Sequence, residues 1–321
     1  MMRQHISVVI PIYQAEHTIE ALVNEIAIYF QPIKTANGHE IVVSEVLLAH
    51  DCGPDRSDIA INQLAQSYPQ IKIIWLTRNF GQHAATLAGM SSASGDWIVT
   101  MDEDGQHNPA DIPLLVDHAM NEDLQLVYAQ PSNKAPHGFI RNFTSRFSKR
   151  IIRLLMGNYF VEYFHSYRLI RGDVARSLAA YCGQGVFLDV GLLWVAGRIG
   201  QYPLNMRSEG NRISSYTYSR LLSHFWSMLL TAGTRPLRLI TILGFVSVAI
   251  ALFIGSFVLY EKITGKIDVQ GWASIVIVIS FFSGCILISL GMIAEYLAVS
   301  IGASMGKPLY VISSRSSRSQ K

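Results

Sequence analysis

Residues 95–109, GDWIVTMDEDGQHNP, place an apolar run directly before a polar one. The apolar part has the β-branched and aromatic residues of a buried strand, and the acidic part follows where that strand ends. Alternate residues of an extended segment point the same way, so Asp102, Asp104 and Gln106 can face one site. Glu103 then faces away. The stretch predicts a strand that delivers oxygen-bearing side chains to a site at its carboxyl end.

The same arrangement, an apolar run followed by a polar loop, occurs three more times upstream. The runs are ISVVIPIY (6–13), IVVSEVLLAH (41–50) and IKIIWL (71–76), with helical patterns at 16–30, 57–67 and about 81–91. Strands that alternate with helices predict an α/β fold with a doubly wound, mostly parallel sheet. In such sheets the ligand binds beyond the carboxyl ends of the strands. The first candidates for function are therefore the loops at 11–16, 51–55, 78–83 and 102–106.

The acidic loop has two interpretations. Asp102, Asp104 and Gln106 offer oxygen ligands that suit a hard divalent cation such as Mg²⁺ or Mn²⁺, which can itself clamp a diphosphate. An ordinary acidic turn is the alternative, because Asp104 and Gly105 are favourable turn residues. An Asp-x-Asp pair alone does not decide between them.

Length and composition predict a second part of the molecule. The chain has 321 residues, and we expect a core domain of about 200 residues plus an appendage. Half of the residues are apolar, 15% are charged and the mean hydropathy is +0.27, whereas soluble domains carry about 25% charge. These values argue against a fully soluble or disordered chain, and the net charge of +3 is too small to indicate nucleic-acid binding. The three cysteines are widely spaced and are expected to be free thiols.

The appendage is predicted to be a membrane anchor. Residues 239–260 and 271–294 carry no charge, and each stretch reaches the roughly 20 residues of a membrane-spanning helix. We predict two transmembrane helices at about 239–260 and 271–297. Arginines precede the pair and a basic tail without acids follows it, so the positive-inside rule puts both ends in the cytoplasm. The prediction is a multi-pass protein of the inner (cytoplasmic) membrane.

The predicted organisation has four parts. Residues 1–215 form the cytoplasmic domain, 216–236 an aromatic-rich interfacial helix, 237–298 the membrane hairpin and 299–321 a basic cytoplasmic tail. Within the first part, residues 134–153 combine six Lys and Arg residues with apolar residues at every fourth position. This pattern fits a basic amphipathic helix in the membrane interface or, alternatively, the solvated basic face of a soluble helix.

Five segments carry a family resemblance: PIYQAE (11–16), AHDCGPDRS (49–57), RNFGQHAA (78–85), GDWIVTMDEDGQHNP (95–109) and YRLIRGDV (167–174). In order and spacing they resemble the family 2 glycosyltransferases with a GT-A type fold. More narrowly, RSEGNRISSYTYSRLL (207–222), the two apolar stretches and GKPLYVI (306–312) resemble the polyprenyl-phosphate branch, the relatives of dolichyl-phosphate mannose synthase and of bacterial undecaprenyl-phosphate glycosyltransferases. The resemblance spans nearly the whole chain.

The resemblance implies a donor site for a nucleotide diphosphate sugar, with a UDP-sugar as the first candidate. Asp51 resembles the acid that recognises the base, and the loop after the first strand resembles the one that holds the nucleoside. Asp102, Asp104 and Gln106 resemble the motif that binds Mg²⁺ or Mn²⁺ and diphosphate, and its two acids are the implied catalytic residues. The set implied for the nucleotide sugar is Pro11, Tyr13, Glu16, Asp51, Arg78 and Asp102.

The resemblance also implies an acceptor, a lipid phosphate held by cations. Arg168, Arg207 and Arg212 match basic positions of the family, and the basic segment adds Arg141 and Arg146. The implied reaction is an inverting transfer of the sugar to undecaprenyl phosphate at the cytoplasmic face of the membrane, giving a glycolipid for cell-envelope glycans such as lipopolysaccharide. The identity of the sugar and a homo-oligomeric state are left open.

Other polar residues have two interpretations each. Asp189, in FLDVG, is a candidate general base of the kind that follows a substrate-binding strand. It is alternatively a structural acid, because a polyprenyl phosphate is already largely ionised near pH 7. His83, His107 and His165 lack the spacing of metal ligands and are expected to be hydrogen-bonded structural residues.

Two other functions fit part of the pattern. A processive polysaccharide synthase would need a Gln-x-x-Arg-Trp motif and more membrane spans, and the sequence provides neither. A non-catalytic membrane scaffold that keeps the fold is the second alternative. It would account for the unusual loop in which His50, Cys52 and Gly53 replace the family's usual residues.

Overall fold

The computed structural model describes residues 3–132, 163–183, 186–207, 244–247, 249–250, 252–257, 260, 263–264, 271–306 and 308–314. The strands in these ranges are β1 Gln4–Ile12, β2 Ile33–Lys34, β3 Glu40–His50, β4 Ile71–Leu76, β5 Trp97–Thr100, β6 Leu126–Pro131, β7 Arg168–Arg171, β8 Ile199–Leu204 and β9 Ile312–Ser313. The helices that pack on them are α1 Ile19–Ala27, α2 Ser57–Ser67, α3 Gln82–Ser92, α4 Ile112–Asn121, α5 Gly172–Tyr181 and α6 Leu188–Val195.

All of these strands belong to one mixed sheet. The strand order is β8-β6-β7-β5-β1-β3-β4-β9, and β2 pairs with β3. Strands β5, β1, β3 and β4 run parallel to one another. Strand β7 runs antiparallel to both β5 and β6, whereas β6 and β8 are parallel. The expected doubly wound, mostly parallel α/β sheet is present, and β7 makes its second half mixed.

The core consists of two layers, one on each face of the sheet. Alternate residues of a strand point to opposite faces, and β1 is buried on both. Ile6, Val8 and Ile10 pack with α1 and α4, whereas Val9 packs with α3 on the other face. Burial on both faces explains why the parallel strands appear in the sequence as continuous apolar runs.

The seven elements predicted between residues 6 and 102 are present. Helix α2 has the predicted bounds, and α3 begins and ends one residue later than predicted. The helical pattern at 16–30 becomes α1, with buried residues Ile19, Leu22, Val23 and Ile26, followed by a 3-10 turn at Ile28–Phe30. The three cysteines are free thiols, as expected.

The long helix Trp272–Ser304 coincides with the second predicted span. Its window Phe281–Ala298 has a mean hydropathy of 1.7 and none of it is buried, so it is long and apolar enough to cross a membrane. At the first predicted span, the described residues form a shorter apolar helix, Gly244–Phe257. Among the described residues only one helix therefore meets the length of a span, and the two-helix hairpin stays a prediction. The predicted interfacial segments 134–153 and 216–236 lie outside the described residues.

The described residues around the predicted tail form a helix end and a short strand. The long helix continues to Ser304, and Gly306, whose φ is +63°, follows two residues after its end. Beyond it, Ile312 and Ser313 form β9, which pairs antiparallel with Leu76 and Trp75 of β4. The chain after the long helix thus returns to the sheet as an edge strand.

Candidate active site

A pocket of about 330 Å³ lies at the carboxyl ends of β1 and β5, where the topology places the ligand of such a sheet. Parallel strands contribute its floor, the first turns of α3 and α6 contribute two walls, and the loop before β7 closes a third side. The lining residues are Pro11, Gln82, His83, Thr86, Thr100, Met101, Asp102, Phe164, His165, Ser166, Arg168, Phe187 and Asp189.

Asp102 is oriented within this pocket by neighbours from two directions. Its Oδ1 accepts a hydrogen bond of 2.6 Å from Gln82 Nε2, and its Oδ2 accepts one from the Ser166 hydroxyl. Its backbone N–H donates to His107 Nδ1 at 2.9 Å. The sequence predicted Asp102 but missed Gln82 and Ser166, since only the fold brings residues 20 and 64 positions away to this carboxylate.

His107 is a structural residue, as expected. Its ring is buried and stacks on Tyr167, with centroids 4.8 Å apart and 14° between the planes. Burial lowers its pKa to about 4, so the imidazole is neutral near pH 7 and can accept the Asp102 N–H.

The other two residues of the predicted metal motif stay on the loop. Asp104 Oδ1 accepts the N–H of Gln106 at 3.0 Å. The pocket lining given by the described residues includes Asp102 but neither Asp104 nor Gln106. The structure therefore places the three residues on one loop without bringing their side chains together in the pocket.

Arg168 and Asp189 form a buried ion pair in the pocket wall. The Arg168 guanidinium contacts Asp189 Oδ1, and its Nε donates to Thr100 Oγ1 at 3.0 Å. The Tyr128 hydroxyl also donates to Asp189, at 3.0 Å. Burial raises the pKa of Asp189, although the charge of Arg168 opposes that shift. Arg168, which the sequence predicted to bind the acceptor phosphate, is thus already paired with Asp189, the predicted candidate for a general base.

Asp189 does not follow a strand, contrary to the expectation for FLDVG. It lies in the first turn of α6, where it is 5% exposed. The run LDVGLLWV is apolar enough for a strand, but it folds as a helix. Its buried leucines pack in the core layer that contains α3.

Asp51 holds the start of α3. Its two carboxylate oxygens accept the N–H groups of Phe80 and Gly81, at 2.7 and 2.8 Å. Gly81 has φ +92°, a conformation that glycine adopts without strain, and the helix begins at the next residue, Gln82. Burial raises the pKa of Asp51, and the two backbone hydrogen bonds oppose the shift. Arg78 is exposed, with its guanidinium 4.3 Å from the centroid of the Phe80 ring.

The loop after β1 is fixed by side chains at four consecutive amides. The N–H groups of Tyr13 and Gln14 donate to Glu103 at 2.7 and 2.9 Å, that of Ala15 to Ser57 at 2.8 Å and that of Glu16 to Asp55 at 3.0 Å. With its amides engaged, the loop presents side chains to a ligand, and the Tyr13 side chain is 41% exposed.

Gly53 makes room for this loop. A Cβ at Gly53 would lie 1.6 Å from the carbonyl oxygen of Tyr13, so no other residue fits there. Glycine stands here in place of the family's usual residue, and it allows the loops after β1 and β3 to approach each other closely.

Arg207 is the one predicted acceptor cation, besides Arg168, that the described residues include. Its guanidinium contacts both carboxylate oxygens of Glu25, at 3.0 and 2.7 Å, and Asn108 Oδ1 at 2.7 Å. Its backbone N–H donates to the carbonyl of Gln106 at 3.1 Å. It ties the end of β8 to α1 and to the loop after β5. Arg141, Arg146 and Arg212 lie outside the described residues.

The family model for glycosyl transferase family 2 matches residues 7–180, which is more than half of the chain and runs from within β1 to the last turn of α5. The chain belongs to this family. It is a glycosyltransferase, and the pocket at the ends of β1 and β5 lies within the matched region.

Relatives of this family 2 glycosyltransferase match it over nearly its full length. A prophage bactoprenol glucosyl transferase homolog of Escherichia coli is 25% identical and covers 96% of this chain and 98% of its own. The bactoprenol glucosyl transferase of Shigella phage SfX is 25% identical, over 97% and 99% of the two chains. An uncharacterised glycosyltransferase of Synechocystis is 27% identical, over 97% and 96%.

The fold is shared with glucosyl-3-phosphoglycerate synthase from Mycobacterium tuberculosis, solved in complex with Mn²⁺, UDP and glucosyl-3-phosphoglycerate. The two structures superpose with a TM-score of 0.50 at 18% identity, over 72% of this chain and 80% of the other. This likeness confirms a GT-A-like α/β fold.

Proposed function

We propose that this glycosyltransferase is membrane-anchored and inverting. It moves a sugar from a nucleotide diphosphate donor, a UDP-sugar in the first instance, to the phosphate of undecaprenyl phosphate at the cytoplasmic face of the inner membrane. The product is a polyprenyl-phosphate-linked sugar that serves cell-envelope glycan modification. One observation carries the proposal: bactoprenol glucosyl transferases match this chain over 96–97% of its length, including its apolar C-terminal part.

The return of the chain to the sheet supports access to a lipid acceptor. Strand β9 pairs with Leu76 at the carboxyl end of β4. Because β4 runs in the same direction as β1 and β5, this end lies on the same side of the sheet as the pocket. Seven residues lie between Ser304 and Ile312, and the eight steps from one to the other span at most about 28 Å of extended chain. A membrane-spanning Trp272–Ser304 helix would therefore hold the pocket side of the sheet near the bilayer.

The proposed reaction follows from charge. The bond between the anomeric carbon and the donor's β-phosphate oxygen breaks, and its electron pair leaves with the nucleoside diphosphate. A phosphate oxygen of the lipid forms the new bond from the opposite face, which inverts the anomeric centre. Its proton has already dissociated, because the second pKa of a phosphate monoester is about 6. Asp189 then serves as the counter-ion of Arg168. It would accept a proton only from a lipid phosphate that still carries one.

The acidic loop fits a divalent metal by the chemistry of its donors. Asp102 and Asp104 offer carboxylates and Gln106 an amide oxygen, and Mg²⁺ is usually held by one or two carboxylates together with substrate phosphates and water. The described residues contain no cluster of three or more His, Cys, Asp or Glu side chains placed to hold a metal, so the diphosphate would complete the ligand set. A bound Mg²⁺ or Mn²⁺ supplies positive charge against the charge that develops on the leaving diphosphate.

The remaining site assignments are part of the proposal. Tyr13, Glu16 and Pro11 border the nucleoside, and Asp51 and Arg78 act at the base through the loop that begins α3. Arg168 and Arg207 are the described candidates for the acceptor phosphate, with Arg141, Arg146 and Arg212 from the basic segments. Both described arginines are paired with acids, so an acceptor phosphate would have to share or replace those partners.

A donor panel tests the proposal. Purified protein in detergent is incubated with UDP-, GDP- and CDP-sugars, a short polyprenyl phosphate and Mg²⁺ or Mn²⁺, and the lipid fraction is analysed. We expect one donor to yield a single glycolipid. A polymer would favour the processive synthase, and no transfer from any donor would contradict the proposal.

A further inference from the structure

Glu103 joins two loops that sequence reasoning assigned to different parts of the donor. It lies between Asp102 and Asp104, and its carboxylate faces away from the pocket toward the loop after β1. There it accepts the N–H of Tyr13 at Oε2 and that of Gln14 at Oε1. Hydrogen bonds in which the acceptor is charged are about twice as strong as neutral ones, so this double contact is a firm link.

The loop after β1 is held from both sides. On the β3 side, Ser57 and Asp55 bind the amides of Ala15 and Glu16. Hydrogen bonds between Asp55 and the Ser57 hydroxyl, at 2.6 and 2.7 Å, brace these two side chains against each other. On the β5 side, Glu103 binds the two preceding amides. Its contact sets the position of Tyr13 relative to Asp102, one residue away from Glu103 in the chain.

We propose that Glu103 is a positioning residue that sets the spacing between the nucleoside loop at Tyr13 and the diphosphate carboxylate of Asp102. This inference rests on the proposed function, since a nucleotide diphosphate sugar has to contact both loops at once. A donor that spans two loops binds with full strength only when their separation matches its own length. Without the hydrogen bonds of Glu103, each loop could still contact the donor, but the two loops would move independently of each other.

The expected consequence is a defect in donor use. Replacement by alanine, Glu103→Ala, removes both acceptors and should raise the KM for the donor about tenfold or more. Glu103→Gln keeps one carbonyl oxygen and should recover part of the loss, because its NH₂ group cannot accept from the second amide. The KM for the lipid acceptor should stay within about twofold of the wild-type value for both variants, since neither loop is assigned to it.

The experiment combines kinetics with amide hydrogen exchange on the full chain in detergent. Exchange is followed by mass spectrometry on a peptide covering residues 11–17, and UDP, GDP and CDP are titrated as binding probes. Glu40→Gln is the matched control, since Glu40 pairs with Arg3 at the start of β3, the opposite end of that strand from the pocket. We expect faster exchange at Tyr13 and Gln14, weaker nucleotide binding and a raised donor KM in Glu103→Ala, a smaller effect in Glu103→Gln and none in Glu40→Gln.

Several results would overturn the inference. Unchanged exchange in Glu103→Ala would show that Glu103 does not hold the loop. Faster exchange with a wild-type donor KM would reduce its role to a structural one. If the wild-type chain binds no nucleotide and transfers no sugar, the proposed function fails, and the positioning role fails with it even if exchange shows the link to be real.

Discussion

Asp102 is the carboxylate that the pocket orients most closely. Gln82 and Ser166 hold its two oxygens, and the buried, neutral ring of His107 holds its backbone N–H. Its place in the sequence made Asp102 a candidate, because acids directly after a parallel strand lie at the carboxyl ends of the strands, where the ligand of such a sheet binds. The spacing could not reveal its partners, since hydrogen bonds between distant residues depend on how the loops fold.

Replacing Asp102 with asparagine should abolish turnover while the protein stays folded. The change keeps the size of the side chain but removes a unit of negative charge and a metal ligand, and we expect kcat to fall about 100-fold or more. Chelation by EDTA should have the same effect on the wild type. Asp173→Asn is the control, because Asp173 is exposed, lies outside the pocket lining and makes its ion pair with Arg171. Full activity of Asp102→Asn, or of the wild type in metal-free buffer, would contradict the metal assignment.

Asp51 has a structural contact as well as its predicted role at the base, because its carboxylate holds the loop that begins α3. Sequence reasoning assigned it to the base and predicts a raised donor KM with kcat largely kept for Asp51→Ala. The same kinetics are expected from its contacts with Phe80 and Gly81, but now with a loss of stability. The partly buried N–H of Phe80 would lose its acceptor, at a cost of about 1–3 kcal/mol, whereas the N–H of Gly81 would keep Asn79 Oδ1 at 3.0 Å. Donor KM and the urea midpoint should shift together, and a large fall in kcat at unchanged KM would place Asp51 in the chemistry.

At the scale of elements, periodicity predicted the first half of the sheet and missed much of the second. Strands β1, β3 and β4 are apolar runs of ordinary length, so their pattern is clear in the sequence. Strand β7, Arg168–Arg171, has four residues with arginine at both ends, and only its pairing between β5 and β6 makes it a strand. Strand β9 has only two residues, too few for a sequence pattern, and its pairing with β4 defines it as a strand.

Strand β9 should stabilise the edge of the sheet. The carbonyl of Val311 accepts the N–H of Thr77 at 3.0 Å, and Leu309 and Tyr310 pack against the core layer that contains α3. Deleting residues 307–321 should therefore lower the melting temperature, by about 2–4 °C for each kcal/mol lost. Deleting only 315–321 keeps β9 and serves as the control. Equal melting temperatures for the two truncations would show that β9 contributes nothing to stability.

Glu45 connects four segments at the other end of the sheet. It accepts hydrogen bonds from Lys72 at 2.6 Å, from the Ser7 hydroxyl at 2.6 Å, and from the N–H and hydroxyl of Ser94 at 2.6 and 2.8 Å. Burial alone would raise its pKa, but these hydrogen bonds outweigh burial and lower the pKa from 4.5 to about 2. A carboxylate with a lowered pKa stabilises the fold above its unfolded pKa, and that stability is lost as the pH falls through the folded value.

The prediction for Glu45 concerns the window between pH 4.5 and 2. Wild-type stability should fall through this window more steeply than that of Glu45→Gln, which should already be less stable at pH 7. Melting temperatures measured across the acid range check this, with Glu122→Gln at the exposed end of α4 as the control. Parallel pH profiles for the wild type and Glu45→Gln would contradict the pKa shift.

For the whole molecule, composition predicted an apolar appendage on an α/β domain, and the exposed apolar helix Trp272–Ser304 agrees with the position of one predicted span. The mean hydropathy of a segment depends only on its own residues, so an apolar span can be recognised without knowing the fold. The ion pair of Arg168 with Asp189, and that of Arg207 with Glu25, could not be predicted in this way. Both join residues from different elements, and both change how the acceptor site has to be understood.

Identifying both products of a single reaction distinguishes transfer to the lipid phosphate from the other possible reactions. Purified protein is given its preferred nucleotide sugar and a short polyprenyl phosphate, after which the released nucleotide is identified and the lipid product is weighed by mass spectrometry. Attack of the lipid phosphate on the anomeric carbon predicts a released nucleoside diphosphate and a lipid that has gained one sugar and keeps its single phosphate. A released nucleoside monophosphate with a sugar diphosphate on the lipid, or a polymer, would contradict it.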